Sequence, residues 1–523
     1  MKILSLISLI VLLKITECAR ILGIFPTSGR SHYILGSSLM KGLAEKGHDV
    51  TVISPYPEKD PPKNGSYVDI TLTSFAKPQD KNNNSLFSVS DSFNLFQLND
   101  INFLVYLLAM NSIGNEFTEG TLSDPNVQKL LKSDKKFDVV IIEQFVNDGL
   151  KVFAHHFQAH LVVFVTFGSN AWINPLVANP APPSYVPEQK INMDPKNFFH
   201  RVFNTIIYIA GELNRNLLFF PAQNKIMKKY FPDAPDLDVL NYNASLVLVN
   251  SHISTNKPVP RVPSMVDIGG FHINPPKKLP KDLQEYLDSA KEGVVYFSMG
   301  STLQSINLPV EKREAILRVF SKLKQKVLWK WEDESLPGQP QNVKLGKWLP
   351  QQDILAHPNV KAFVTHGGLL SILESVYHGV PVLALPVFGD QVMNAAEAAW
   401  NGCGRYILYD DLNEETLEEA LNDILKNPKY SENMKTRSKL MRDRQNKPID
   451  VADYWIRHII RHNGGAHLRV AGLELPWYQY LVLDVVAFLI AITLLTIYLI
   501  YAFIKIILKT LSKNKNKSKI KKN

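Results

Sequence analysis

The stretch from Phe363 to Gln391, FVTHGGLLSILESVYHGVPVLALPVFGDQ, constrains the fold more tightly than any other part of this chain. Val360 to Thr365 is short, mostly apolar and followed by Gly367-Gly368, which reads as a buried strand entering a tight turn. From about Gly368 to Tyr377 the pattern is helical, and Gly379 followed by Pro381 supplies the stop. Val382 to Leu385 is a second apolar run whose carboxyl end leads to Asp390 and Gln391. A strand feeding a helix through glycines leaves amide N–H groups unpaired and aims the positive end of the helix dipole at one spot. Open α/β sheets hold a diphosphate there. His366 sits at that spot, and Ser371 and Glu374 share one helix face beyond it. A hydroxyl can then meet phosphate while a carboxylate accepts from ribose hydroxyls.

At fixed spacing these positions resemble the signature of the UDP-glycosyltransferase family: Phe-Val-Thr-His-Gly-Gly, then Ser371 and Glu374, then Pro-Val-Leu-Ala-Leu-Pro and Asp390-Gln391. Phe297-Ser298-Met-Gly300-Ser301 is similar to the family's first phosphate loop, which implies a contact from Ser301. Trp348-Leu-Pro-Gln351 is similar to the segment whose Trp stacks on uracil and whose Gln bonds the base. The resemblance implies a donor site of Ser301, Trp348, Gln351, His366, Gly367, Gly368, Ser371, Glu374, Asp390 and Gln391. Its ligand would be a UDP-sugar co-substrate, with no metal and no other cofactor. It also implies the GT-B arrangement: α/β, two facing Rossmann-like doubly wound domains with a cleft between them. Leu369 and Leu370 depart from the Asn-bearing turn of vertebrate and plant members and resemble the Leu-Leu-Ser form of arthropod members. That departure puts one polar contact to the donor in question.

A second constellation lies near the start. Ile21 to Phe25 is strand-like and runs through Pro26 and Gly29 into a helical pattern beginning near Ser31-His32. At a helix N-terminus the dipole disfavours an imidazolium, so a ring of pKa about 6.5 is expected to be neutral near pH 7 and able to accept a proton. In the family that this sequence resembles, a His after the first strand is the general base, which implies that role for His32. Members place an Asp after the fourth strand to orient that base. Here Val139 to Ile142 is followed by Glu143, with Asp148 further on, and either carboxylate can serve. The implied reaction is direct displacement at the anomeric carbon with inversion. Asp236-Leu-Asp238 has the spacing of metal-dependent transferases, but it follows Pro232 and Pro235 outside the donor half and reads as a chance pair. Glu143 and Leu370 also motivate an alternative, a catalytically inactive binding or carrier protein with this fold. A NAD enzyme is disfavoured because no G-x-G-x-x-G follows an early strand.

The two ends set the cellular context. Residues 1–19 carry Lys2, an apolar run from Ile3 to Leu13 and small residues after it, as in a cleaved signal peptide. Val485 to Ile504 is an uncharged run flanked by Trp477, Tyr478 and Tyr480 on one side and Lys505 on the other. This predicts a transmembrane helix over 480–504 and a basic cytosolic tail over 505–523. The last five residues, from Lys519, resemble a dilysine retrieval signal to the endoplasmic reticulum; a polybasic tail drawn to anionic lipid is the other reading. Together these predict a single-pass type I protein with its catalytic part in the lumen. Eight lysines in the tail account for all but about one unit of the net charge of +9, so a nucleic-acid partner is not implied. Sequons at Asn64, Asn83 and Asn243 suit a lumenal glycoprotein, and Cys18 and Cys403 imply no disulfide framework.

Between the ends, strand-like and helical runs alternate, which predicts parallel sheets covered on both faces. An acceptor-binding half is expected over 20–260, a linker rich in Pro and Lys over 261–292, and a UDP-sugar-binding half over 293–470. Segments 86–115 and 198–231 are apolar, aromatic and helical in pattern. They read equally as core helices, as walls of the acceptor pocket or as a membrane-touching surface. The resemblance implies a small lipophilic hydroxyl acceptor, and the sequence leaves a homo-oligomer open.

Overall fold

The computed structural model describes residues 18–74, 96, 103–188 and 193–520, without the side chains of 513–520. The expected signal peptide up to residue 17, the Asn83 sequon, part of segment 86–115 and the final three residues lie outside the described residues. Two parallel sheets carry the fold. The first is built from β1 (Arg20–Ile24), β2 (Asp49–Ser54), β3 (Ser66–Thr71), β4 (Val139–Glu143), β5 (His160–Val165), β6 (Ala244–Val249) and β7 (Met265–Asp267), in the order β3-β2-β1-β4-β5-β6-β7. The second is built from β8 (Val294–Ser298), β9 (Lys326–Lys330), β10 (Val343–Gly346), β11 (Val360–Thr365), β12 (Val382–Ala384) and β13 (Gly404–Tyr406), in the order β10-β9-β8-β11-β12-β13.

The helices that matter below are α1 (Arg30–Glu45), α2 (Phe103–Ser123), α3 (Phe198–Asn214), α4 (Phe220–Tyr230), α5 (Val310–Ser321), α6 (Leu369–His378), α7 (Gln391–Trp400), α8 (Pro448–Arg461) and α9 (Leu483–Ile520). Strand side chains alternate between faces, so each sheet has two cores. On one face of the first sheet Leu22, Ile24, Val140, Ile142 and Val163 pack together. On the other, Ile21, Ile141 and Phe164 meet Leu35, Leu39 and Leu43 of α1. Each such side chain contributes about 1.5–3 kcal/mol when fully buried.

Two segments cross the expected boundaries. The stretch 261–292 contains β7, which pairs with β6, and Leu283 and Leu287, which pack under Val294 and Tyr296 of the second sheet. Helix α8 follows the second sheet in sequence yet returns to the first, where Ala452, Ile456 and Ile459 join the α1 core. His48, fully buried, bonds Asp453 of α8 at 2.6 Å and accepts from the Ala19 N–H at 3.1 Å, which fixes that return.

In each sheet the strand order reverses once, between β1 and β4 in the first and between β8 and β11 in the second. Connections leave in opposite directions at such a point and open a crevice at the carboxyl ends of the strands, where open α/β sheets bind ligands. Residues 469–523 form a second compact unit. Its helix α9 contains Leu483–Ser512, with mean hydropathy 2.5, long and apolar enough to cross a membrane.

Candidate active site

At the first switch point β1 runs out into Thr27, and α1 starts behind Gly29, with no side chain capping it. His32 is the third residue of α1, and Glu143 is the last residue of β4, the neighbouring strand. The Glu143 side chain is completely buried and is ion-paired with His32 Nδ1. Its second oxygen accepts from Thr27 Oγ1 at 2.8 Å, and Thr166 Oγ1 stands 3.4 Å from the same His32 nitrogen. With Nδ1–H committed to a carboxylate, the free lone pair lies on Nε2. Phe145 meets the imidazole edge to face, with ring centroids 4.8 Å apart.

The direction of the His32 pKa shift differs from the sequence expectation. Burial by itself depresses its pKa, as the helix N-terminus was expected to do. The charge of Glu143 and its hydrogen bond, with the charge of Asp390 behind them, more than offset burial and hold the pKa above the ordinary imidazole value. A paired carboxylate within hydrogen-bond reach outweighs a partial dipole charge. Asp148 does not reach His32. It opens a short helical turn, is bound to Lys151 and accepts from Gln144 Nε2 at 2.9 Å, all buried.

At the second switch point Gly300 follows β8, and His366, Gly367 and Gly368 follow β11. The His366 ring is held between two glycines. A Cβ on Gly300 would lie 2.6 Å from its Cε1, and one on Gly368 would lie 2.4 Å from its Nε2. Gly300 has φ +92° and Gly367 φ +83°, a region that favours glycine, so the turn and the close approach require the same residue type. Burial, helped by the positive charge of Lys330, pulls His366 down to about 4, which leaves a neutral ring that can donate one N–H. Ser301 lies half-buried beside Gly300. Gly368 precedes α6 with no side-chain cap, so the first amides of the helix stay open toward the turn.

One turn into α6, Ser371 and Glu374 do share a face: Gln351 Nε2 donates to Ser371 Oγ at 3.2 Å and to Glu374 Oε2 at 2.6 Å. Gln352 Nε2 reaches the other Glu374 oxygen at 3.0 Å. Burial raises Glu374 to about 7, partly offset by Gln351 and Gln352. The Gln351 side chain is thus spent on this pair rather than projecting beside Trp348. Trp348 is 65% exposed, whereas Trp329 and Trp331 are buried core, so its indole is a free face. The Arg30 guanidinium lies 6.0 Å from that ring and 5.3 Å from the Tyr56 ring.

Asp390 immediately precedes α7 without a side-chain capping bond, and burial raises its pKa, offset in part by a 2.8 Å bond from Asn394 and by the charge of His32. The charges of His32 and Asp390 act on each other, so the two switch points lie within electrostatic reach. Gln391 turns its carbonyl back on its own loop, accepting from Val387 and Phe388 amides at 2.8 and 3.2 Å, so only its NH₂ group is unspent there. The sequence missed Thr27, Thr166, Lys330 and Asn394. Asn394 also donates to the Gly367 carbonyl at 3.1 Å and so ties the glycine turn to Asp390. A separate cavity of about 620 Å³ lies beside Ala159 and Leu161 at the amino end of β5, the wrong end of the sheet for this chemistry.

Comparison with known proteins bears on this geometry. The sequence profile described as UDP-glucoronosyl and UDP-glucosyl transferase matches residues 20–518. UDP-glycosyltransferase UGT5 of Dactylopius coccus is 38% identical over 503 residues, which is 94% of this chain and 92% of that protein. UDP-glucuronosyltransferase 2B13 of Oryctolagus cuniculus is 31% identical, over 90% of each chain. Among solved structures, a UDP-glucose:anthocyanidin 3-O-glucosyltransferase in complex with UDP superposes with TM-score 0.54 at 16% identity. It covers 84% of this chain and 99% of that one. At that identity the likeness speaks to the fold, which is GT-B. Near-complete coverage by the profile and by relatives above 30% identity speaks to descent, and the relatives are named as enzymes. A paired imidazole at one switch point, a glycine-held imidazole at the other and this coverage lead to one conclusion: the chain belongs to the UDP-glycosyltransferase family.

Proposed function

We propose that the chain is an inverting, metal-independent glycosyltransferase that moves glucose from UDP-glucose to hydroxyl groups of small lipophilic acceptors. The observation that carries this reading is the buried Glu143 on His32 Nδ1, which leaves the lone pair of His32 on Nε2. The acceptor hydroxyl gives its proton to Nε2 as its oxygen attacks the anomeric carbon, and Glu143 stabilises the imidazolium that forms. On the opposite side, His366 N–H, the open amides of α6 and Ser371 receive the charge that develops on the departing diphosphate. Ser301 contacts the same phosphates, Trp348 stacks on uracil, and Glu374 accepts from the ribose hydroxyls. Asp390 and the Gln391 amide meet the sugar hydroxyls. In this reading residues 20–260 hold the acceptor and residues 293–470 the donor.

Asp236 pairs with Lys228 at 3.2 Å in the acceptor half, away from the phosphates, which supports its exclusion as a metal ligand. Glucose is favoured because the insect relatives, one of them named UDP-glucosyltransferase 2 and 35% identical, exceed the mammalian glucuronosyltransferases in identity. The same reading makes α9 a type I anchor in the endoplasmic reticulum membrane, with the catalytic part lumenal, the tail cytosolic and the exposed Asn64 and Asn243 open to glycosylation. Release of UDP is measured with UDP-glucose and a phenolic acceptor, wild type against His32→Ala. Loss of turnover is expected, and unchanged turnover sinks the assignment.

A further inference from the structure

Three histidines gather where α8 ends. His458 lies in its last turn and His462 is the residue that closes it, four positions on, the spacing at which two helix imidazoles can hold one ion. Their ring centroids are 4.4 Å apart. The third ring, His467, is delivered by the backbone. Asn463, Gly464 and Gly465 have φ +47°, +88° and +70°, three left-handed residues in succession that reverse the chain onto the helix it has just left. The Gly464 N–H closes this reversal on the Ile459 carbonyl at 2.7 Å, and the Leu468 N–H reaches the Gly465 carbonyl at 2.8 Å. Leu468 is buried with Ile456 and Ile459 of α8, so packing holds the neighbouring His467 in place. His467 Nε2 stands 3.0 Å from His458 Nε2. A Cβ on Gly464 would lie 3.1 Å from His160 Nδ1 and 3.5 Å from Ser245 Oγ, at the amino ends of β5 and β6. The group is therefore at the opposite edge of the sheet from the crevice that holds His32.

Two imidazole nitrogens at that separation share one proton, one donating it and the other offering its lone pair. A metal ion can take the place of that proton. Tetrahedral zinc, with Zn–N of about 2.0–2.1 Å, sets two nitrogens about 3.3–3.4 Å apart, so the pair has to tilt and to open by about 0.3–0.4 Å. We propose that His458 and His467 are a clip for a divalent transition-metal ion, zinc above all, and that His462 completes it from the end of α8. Among the described residues no three donors already meet at one point, so the ion draws His462 in, and water takes the remaining position. An all-imidazole set selects ions such as zinc, copper and nickel over magnesium and calcium, which require oxygen. The protonation state also suits a metal: burial first, then the charges of His462, His467 and Arg461, hold His458 below the ordinary imidazole value, so little proton release opposes binding near pH 7. His467 is the last residue but one of the folded unit, beyond which the chain continues to α9. A bound ion ties that exit to α8 and takes no part in catalysis.

The test uses the full-length chain in detergent, without a polyhistidine tag and stripped of metal by a chelator. Titrated with Zn²⁺ alone in competition with a chromophoric chelator, wild type is expected to take up one equivalent. Each of His458→Gln, His462→Gln and His467→Gln is expected to weaken that uptake at least about tenfold, since even a residue one step removed from a metal is worth that much. His155→Gln, at an exposed histidine elsewhere on the first half, is expected to leave it unchanged. Circular dichroism in excess chelator verifies that each variant is folded. Copper(II) then counts the ligands: the nitrogen hyperfine pattern of its resonance spectrum should show three imidazoles in wild type and two in His467→Gln, a change that a structural role of the ring alone would not produce. Uptake of less than one equivalent, affinity retained in any of the three variants, or a hyperfine pattern that His467→Gln leaves as it was overturns the proposal. None of these readouts is turnover, so their failure is distinct from failure of the catalytic reading.

Discussion

His32 and His366 each lie past a central strand at the switch point of a sheet, yet their environments drive them in opposite directions. His32 meets a buried carboxylate and is held above the ordinary imidazole pKa. His366 is buried between two glycines, and burial, helped by a lysine charge, takes it down to about 4. The fold supplies both with the same helix N-terminus, so that end alone does not decide their chemistry. What separates them is an acid: Glu143 closes β4, the strand beside β1, and pairs with His32, whereas burial governs His366, with Lys330 at the end of β9 adding a positive charge. A ring with an acid behind it can take up a proton, and a ring without one stays neutral and donates.

The sharpest way to break this comparison is to remove each ring's partner in turn. His32→Ala is expected to lower turnover about 10²–10⁴-fold, the usual worth of a positioned base, while UDP binding by calorimetry stays unchanged. A parallel loss of UDP affinity would make His32 a donor-site residue and end the division of roles. Glu143→Gln comes next, at about 10²-fold in kcat. Its sign on pH is the more telling result. The base works neutral, so wild-type kcat/KM falls as pH drops through the raised pKa of His32. Without the carboxylate charge, burial dominates and lowers that pKa, so the acid limb moves to lower pH even as the rate falls. A limb that stays in place would mean that Glu143 does not set the titration.

At the second switch point Gly368→Ala isolates His366, because Gly368 has φ −61° and the substitution brings steric pressure on the ring without backbone strain. Loss of a hydrogen bond to a charged phosphate, about 1.5–3 kcal/mol, corresponds to roughly 10–150-fold weaker UDP binding. The acid limb of turnover should not move. If it does, the two imidazoles are coupled more closely than their separate surroundings imply.

These contrasts were legible in the sequence only in part. Runs such as Val139 to Ile142 are buried on both faces and read directly as parallel strands, but β7 and β13 are three residues long and β3 alternates polar residues at a sheet edge. His32 and His366 stand out because a strand, a glycine turn and a helix surround each in local sequence. The choice between Glu143 and Asp148 was not legible: Glu143 is still in the strand, and five residues on the chain has already turned Asp148 onto Lys151. Thr27 on Glu143 and Asn394 on Gly367 join positions 116 and 27 residues apart, and no local pattern announces such pairs. Helix α3 exposes Phe199 and Ile206 at the helical spacing that core helices also show, so the sequence could not say which side of it faced protein.

The smallest expected effect tests whether the donor half also contains a titrating group. Glu374 is raised to about 7 by burial, while Gln351 and Gln352 donate to it and leave part of its acceptor capacity unspent. As a carboxylate it only accepts, which suits ribose hydroxyls; protonated, it competes as a donor. Affinity for the nucleoside should therefore rise as pH is raised through about 7. Uridine is the ligand of choice, since it has no phosphate to titrate in that range. One net hydrogen bond of about 1 kcal/mol gives roughly a fivefold change between the two plateaus. Glu374→Gln should flatten the profile near the lower plateau, because its amide offers one acceptor and one competing donor. A profile that keeps its slope in the variant would assign the titration to another group and leave His32 as the one proton-handling centre of the cleft among the described residues.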